Sequence, residues 1–177
     1  MKFEPMIFKY QLRDAAIYWC IIPAAVILSG RGIDWLAGLR QNPASFIQIA
    51  FSLFLLLPGL ALIAVSTRDL SRAGGTPNPL RPAQYLVTTG AYSICRHPMF
   101  LGYDLCAAAV VWCLGSPGTV LVSFPLFIIL QILFLKKEEK ILLLKFKQTY
   151  LDYMRKTPLL VPAPFFCRQN TCSTKPD

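Results

Sequence analysis

Four side chains invite a chemical reading before anything else in the chain. Arg96 and His97, the latter the sole histidine, stand directly before Pro98, while Glu138 and Glu139 stand side by side behind a long apolar run. A carboxylate pair close to a hydrocarbon phase is unfavourable unless cations or hydrogen-bond donors answer it, and a charge at a bilayer centre costs about 2.5–3.5 kcal/mol on insertion scales. Ionisable groups in such a position are therefore functional candidates by default, and Arg96 and His97 are the natural counter-groups. The chemistry they offer is a charged pocket at a water boundary. The loop leading into it, 86–92, contributes Leu86, Val87, Gly90 and Tyr92.

The elements that must bring these groups together follow from the intervening residues. Proline suits the first turn of a helix, where its missing N–H has no partner to lose, so a helix begins at or just after Pro98 and Arg96 and His97 sit at its mouth. Residues 99–114 form a short apolar span carrying Asp104, Gly115-Ser116-Pro117-Gly118 is a tight turn, and 119–135 is a further span. Two spans joined this tightly run antiparallel and side by side, which returns Glu138 and Glu139 to the level of Arg96.

Composition agrees with such a setting. Of 177 residues, 55% are hydrophobic, and a crossing takes roughly 20 apolar residues, so the chain has room for about four or five helices and no separate soluble domain. The expected architecture is all-α: one polytopic membrane domain over 1–177, with about four spans and a cytosolic amphipathic helix. The spans are a short first one over 15–28, kinked at Pro23, then 45–65, 99–114 and 119–135, and 30–43 is a polar connection with Trp35 as an interfacial aromatic. Lys9 and Arg13 before the first run give it the look of a signal peptide, but no small-residue cleavage site follows and Glu4 and Asp14 interrupt the basic leader. From Lys136 the chain turns amphipathic and ends at Thr157-Pro158; 167–177 is a loose tail.

The net charge of +9 points to topology and not to nucleic acid. With both termini cytosolic, only Arg31 and Arg40 fall on the outer side, which is the distribution expected of cytoplasmic loops. The six cysteines contain no C-x-x-C pair, so neither disulfide nor metal site is expected. Plainer readings stand beside the functional one. Arg96 also fits an anchor that snorkels to lipid phosphate, and Lys136 to Lys140 a self-neutralised stop-transfer cluster. Asp104 fits a carboxyl hydrogen-bonded to a neighbouring helix as well as it fits a group contacting a ligand.

Taken together, Gly90 and Tyr92, the run from Arg96-His97-Pro98 through Phe100 to Gly102, Glu138-Glu139, Phe146, Tyr150, Tyr153 and Pro158 resemble the isoprenylcysteine carboxyl methyltransferase family, to which phospholipid N-methyltransferases are related. The resemblance covers about 77–164. It departs at Ala91, where a proline is usual, and at Lys147, where a glycine is usual. It implies S-adenosyl-L-methionine as methyl donor and S-adenosyl-L-homocysteine as product. It further implies that Leu86, Val87, Gly90, Tyr92, Arg96, His97, Phe100, Gly102, Glu138 and Glu139 hold the cofactor, with Arg96 and Glu139 nearest the chemistry.

The implied acceptor is lipophilic, a small molecule or a lipidated substrate, entering from the membrane lipids; an isoprenylcysteine carboxylate comes first and a phospholipid amine second. An anionic acceptor needs no protein base, whereas an amine must lose a proton, for which His97 or Asp104 would serve. A sterol-reductase-like enzyme using NADPH and a non-enzymatic scaffold whose basic helix lies on anionic lipid are the remaining alternatives. No preference for an oligomeric state arises.

Overall fold

The computed structural model describes residues 20–40, 45–73 and 86–160, and these are helical apart from short connections, without strands. Among the described residues four helices carry the architecture: α1 (Ile22–Ala37), α2 (Phe46–Arg72), α3 (Pro98–Leu114) and α4 (Phe124–Lys156). A 3-10 turn, Gly90–Ser93, precedes α3, and a π turn, Thr119–Ser123, leads into α4. Helix α2 and the continuous stretch Thr119–Lys156 are long and apolar enough to cross a membrane, and α3 is a shorter apolar helix.

The distribution of side chains inverts that of a water-soluble bundle. Phe46, Ile47, Phe54, Leu57, Leu121, Leu126 and Leu130 project outward, whereas Asp34, Ser66, His97, Ser116, Thr119, Gln131 and Glu139 are buried. Apolar side chains turned outward around a polar interior are stable where the surroundings are hydrocarbon, and the polar groups must then find partners within the bundle.

Helix α2 begins with a capping box in which the Gln48 N–H donates to Ser45 Oγ at 3.3 Å and the Ser45 N–H to Gln48 Oε1 at 2.8 Å. It runs through Pro58 and past the expected end at residue 65 to Arg72. The α2 and α3 backbones touch at two glycines: a Cβ on Gly59 would lie 2.9 Å from the Gly102 carbonyl oxygen, and one on Gly102 would lie 2.8 Å from that of Gly59. Small residues permit this approach, which in an apolar solvent replaces the hydrophobic effect as the source of helix association.

The contact corrects the expected pairing. The closest neighbour of α3 is α2 and not the span that follows the tight turn. Between α3 and α4 the space is bridged by long side chains, with Phe100 and Phe134 at 6.4 Å and Tyr103 and Phe127 at 6.3 Å between ring centroids.

The expected connection over 30–43 is corrected as well, since α1 continues through Gly30 to Ala37. Its reason is tertiary. Gly30 lies against Thr119, and Asp34 is fully buried, accepting from Ser116 Oγ at 2.5 Å and from the Gly118 N–H at 2.6 Å. A buried carboxylate with two donors holds the helix together where sequence polarity suggested a loop. Pro23 stands in the first turn of α1, directly after the π-helical residues Cys20 and Ile21. The start of the expected first span with the basic residues before it, the end of the 30–43 connection and the tail lie outside the described residues.

An apolar cavity of about 270 Å³ opens among these helices, lined in part by Val26, Leu56, Tyr103, Cys106, Phe124 and Phe127.

Candidate functional site

The segment before α3 is held in place from three sides. Asp69, in the last turn of α2, accepts from the Ala91 N–H at 2.9 Å, and Gly90 lies directly against its carboxylate with φ +65. Only a residue without a Cβ adopts that backbone next to that carboxylate at no cost. Tyr153, near the end of α4, donates its hydroxyl to the Tyr92 carbonyl at 2.6 Å. The chain leaving α4 then pairs with the motif itself, the Arg96 N–H donating to the Pro158 carbonyl at 2.8 Å and the His97 N–H to that of Leu159 at 3.2 Å.

Arg96 and His97 are thereby turned toward α4. Arg96 Nε lies 3.0 Å from Glu139 Oε1, His97 Nε2 lies 3.7 Å from the same oxygen, and His97 Nδ1 lies 4.0 Å from Glu138 Oε2. Tyr150 donates its hydroxyl to Glu139 Oε1 at 3.4 Å from one helical stretch further on. Arg96 and Glu139 expose only 11% and 10% of their side chains, so this is a buried ion pair whose rupture on one side is expected to cost about 3–5 kcal/mol.

The cluster is paired in charge but unfinished in hydrogen bonding. Arg96 Nε and Nη1, His97 Nε2 and Glu138 Oε2 are buried and make no hydrogen bond. The close approach of Arg96 Nε to Glu139 is electrostatic without the alignment of a hydrogen bond. Buried donors and acceptors are almost always satisfied in folded proteins, so a concentration of open ones on two facing elements marks a place for polar ligand groups. Such a set could hold a small zwitterionic ligand, with a carboxylate at the free guanidinium edge and an ammonium at the Glu138 oxygen.

Burial raises the Glu138 carboxyl, with His97 drawing it partly down and Glu139 pushing it up. Burial likewise pushes the Tyr92 hydroxyl up to about 12, aided by Glu138 and Asp69, and the Cys95 thiol up to about 11. Tyr150 and Tyr153 are raised by burial first and by Glu139 or Cys95 next. All three tyrosines and the thiol are accordingly neutral donors at physiological pH.

Of the expected site residues, Arg96, His97, Glu138 and Glu139 come together in one cluster, and the Phe100 ring stands 6.0 Å from that of His97. Gly90 and Tyr92 shape the loop behind it. Leu86 and Val87 are half-buried on the approach, and Gly102 faces α2 at the glycine contact. Asp104 lies further along α3, accepting from Gln131 Nε2 at 2.9 Å. Sequence reasoning missed Asp69 and Gln131. An acid in the last turn of an apolar helix and a lone amide inside an apolar span were the available signals.

Residues 47–149 match the family model described as phospholipid methyltransferase. Over 152 residues the chain is 29% identical to methanethiol S-methyltransferase 2 of Bradyrhizobium diazoefficiens, an alignment covering 81% of this chain and 49% of that protein. The chain thus spans about half the length of the curated relative it matches. No solved structure matches. With the motif, its geometry and a match over more than half of the chain in agreement, this protein belongs to the phospholipid methyltransferase family.

Proposed function

We propose that the protein is a membrane-embedded methyltransferase that uses S-adenosylmethionine and acts on a lipophilic acceptor. The observation that carries this reading is the buried Arg96–Glu139 pair with open polar atoms on Arg96, His97 and Glu138 beside it. Arg96 takes the cofactor's carboxylate, Glu138 its ammonium group, and Glu139 holds Arg96 and His97 in place. When bound, the cofactor supplies an activated methyl group on a sulfonium. The protein's part is to align the two reactants and exclude water, and fixing two bound partners in orientation contributes about 7–11 kcal/mol to such a displacement.

The membrane setting supports a lipophilic acceptor. The charged cluster lies where the apolar run of α4 gives way to Lys136 and Lys137, so a water-soluble donor and an apolar acceptor can each arrive through its own phase. Both termini and the charged cluster face the cytosol in this reading, in keeping with the placement of the basic residues. The motif resemblance nominates an isoprenylcysteine carboxylate as acceptor, and the name of the bacterial relative nominates a small thiol.

Calorimetric titration of the purified protein with S-adenosylhomocysteine tests the reading, with NADPH as the competing ligand. Binding of the former and not the latter is expected, weakened about 10- to 100-fold in Arg96→Ala and Glu139→Ala. Undiminished binding in both variants would remove the proposed site. Transfer of labelled methyl into host lipid extracts then identifies the acceptor.

A further inference from the structure

The seam between α3 and α4 holds one more polar feature that cofactor binding leaves unused. Asp104 Oδ2 accepts from Gln131 Nε2 at 2.9 Å, while Asp104 Oδ1 is buried and makes no hydrogen bond. The surroundings are aromatic, with Phe100 against Phe134 on one side and Tyr103 against Phe127 on the other. Seven residues of helix separate Asp104 from His97, about 10 Å along the axis, so the open oxygen lies further along the apolar span than the charged cluster.

A carboxyl oxygen without a partner in such a seam is costly unless a donor reaches it during function. We infer that Asp104 is a catalytic residue that receives the proton of the acceptor, and that the acceptor is a lipophilic thiol. This rests on the methyltransferase reading above. In the step, Asp104 Oδ1 takes the S–H proton, and the sulfur lone pair forms the new S–CH3 bond. The C–S bond of the donor sulfonium breaks, its electron pair staying on the departing sulfide, and the proton leaves Asp104 for water.

Other acceptor classes fit less well. A carboxylate arrives already ionised and would face Asp104 with like charge in a low-dielectric seam. An alkylammonium arrives as a cation, and pairing with the Asp104 carboxylate favours its protonated form, so its nitrogen lone pair stays blocked, whereas a thiol arrives neutral. Gln131 is the positioning partner: its amide occupies one carboxylate oxygen and leaves the other without a hydrogen bond.

Three acceptors with the same chain length separate the cases: octanethiol, octanoate, and octanethioate, a sulfur acceptor that is ionised at neutral pH. The wild-type protein is expected to methylate octanethiol and to leave octanoate unmodified. Asp104→Asn is expected to lose octanethiol turnover by about 10²–10⁴-fold and to gain octanethioate turnover, while S-adenosylhomocysteine titration gives the wild-type affinity. Equal methylation of octanoate and octanethiol by the wild type would overturn the assignment without any variant. So would no turnover of octanethiol by wild-type protein that binds S-adenosylhomocysteine, or unchanged acceptor preference in Asp104→Asn. Absence of S-adenosylhomocysteine binding to the wild type would instead overturn the methyltransferase reading itself.

Discussion

The Tyr153 hydroxyl donates to the Tyr92 carbonyl at 2.6 Å, tying the end of the longest helix to the loop that presents Arg96. The same helix carries Glu139, so the two halves of the ion pair are positioned by one scaffold. Without its hydroxyl, Tyr153→Phe keeps the ring and loses the tether, leaving a carbonyl unanswered. Affinity for S-adenosylhomocysteine should fall by about 3- to 10-fold, as a lost neutral hydrogen bond implies, with helix content by circular dichroism unchanged.

Two glycines inside helices should respond oppositely. A Cβ on Gly59 would lie 2.8 Å from Cys106 Sγ and 2.9 Å from the Gly102 carbonyl, whereas one on Gly32 meets nothing within 4 Å. Gly59→Ala should destabilise the protein by about 1–3 kcal/mol through overpacking. Gly32→Ala, in the interior of α1, should stabilise it by about 0.5–1 kcal/mol through reduced backbone entropy. Unfolding in mixed micelles with increasing denaturing detergent measures both.

Lys147 interrupts α4 with φ 48 and ψ −121, a backbone that side-chain-bearing residues rarely adopt. It stands where the resemblance has glycine. Relief of that strain in Lys147→Gly should raise stability by about 1 kcal/mol, against the usual sign for glycine in a helix, and the same detergent titration reads it.

Glu138 supplies a pH dependence. Because burial raises its carboxyl in the folded protein, the stability linked to its protonated form is fully present below the unfolded-chain value and is lost as pH rises through the folded one. A ligand ammonium that pairs with Glu138 favours the ionised form, so cofactor binding should release a proton and tighten as pH rises through that range. Calorimetry in buffers of different ionisation heat measures the release, and Glu138→Gln should abolish it.

The sequence by itself determined the helical class, the start of α3 at Pro98 and the gathering of Arg96 and His97 with Glu138 and Glu139. Each follows from local rules: apolar runs of sufficient length, proline in a first turn, and a tight turn that brings a second helix back to its starting level. Only the tertiary structure decided which helices touch. Gly59 and Gly102 meet because neither has a Cβ, a complementarity between distant residues that no window of sequence contains. Asp34 likewise reads as a loop residue until Ser116 and the Gly118 N–H surround it. In an apolar solvent polar groups are answered by whichever donor the fold brings near, and that pairing is a property of three dimensions.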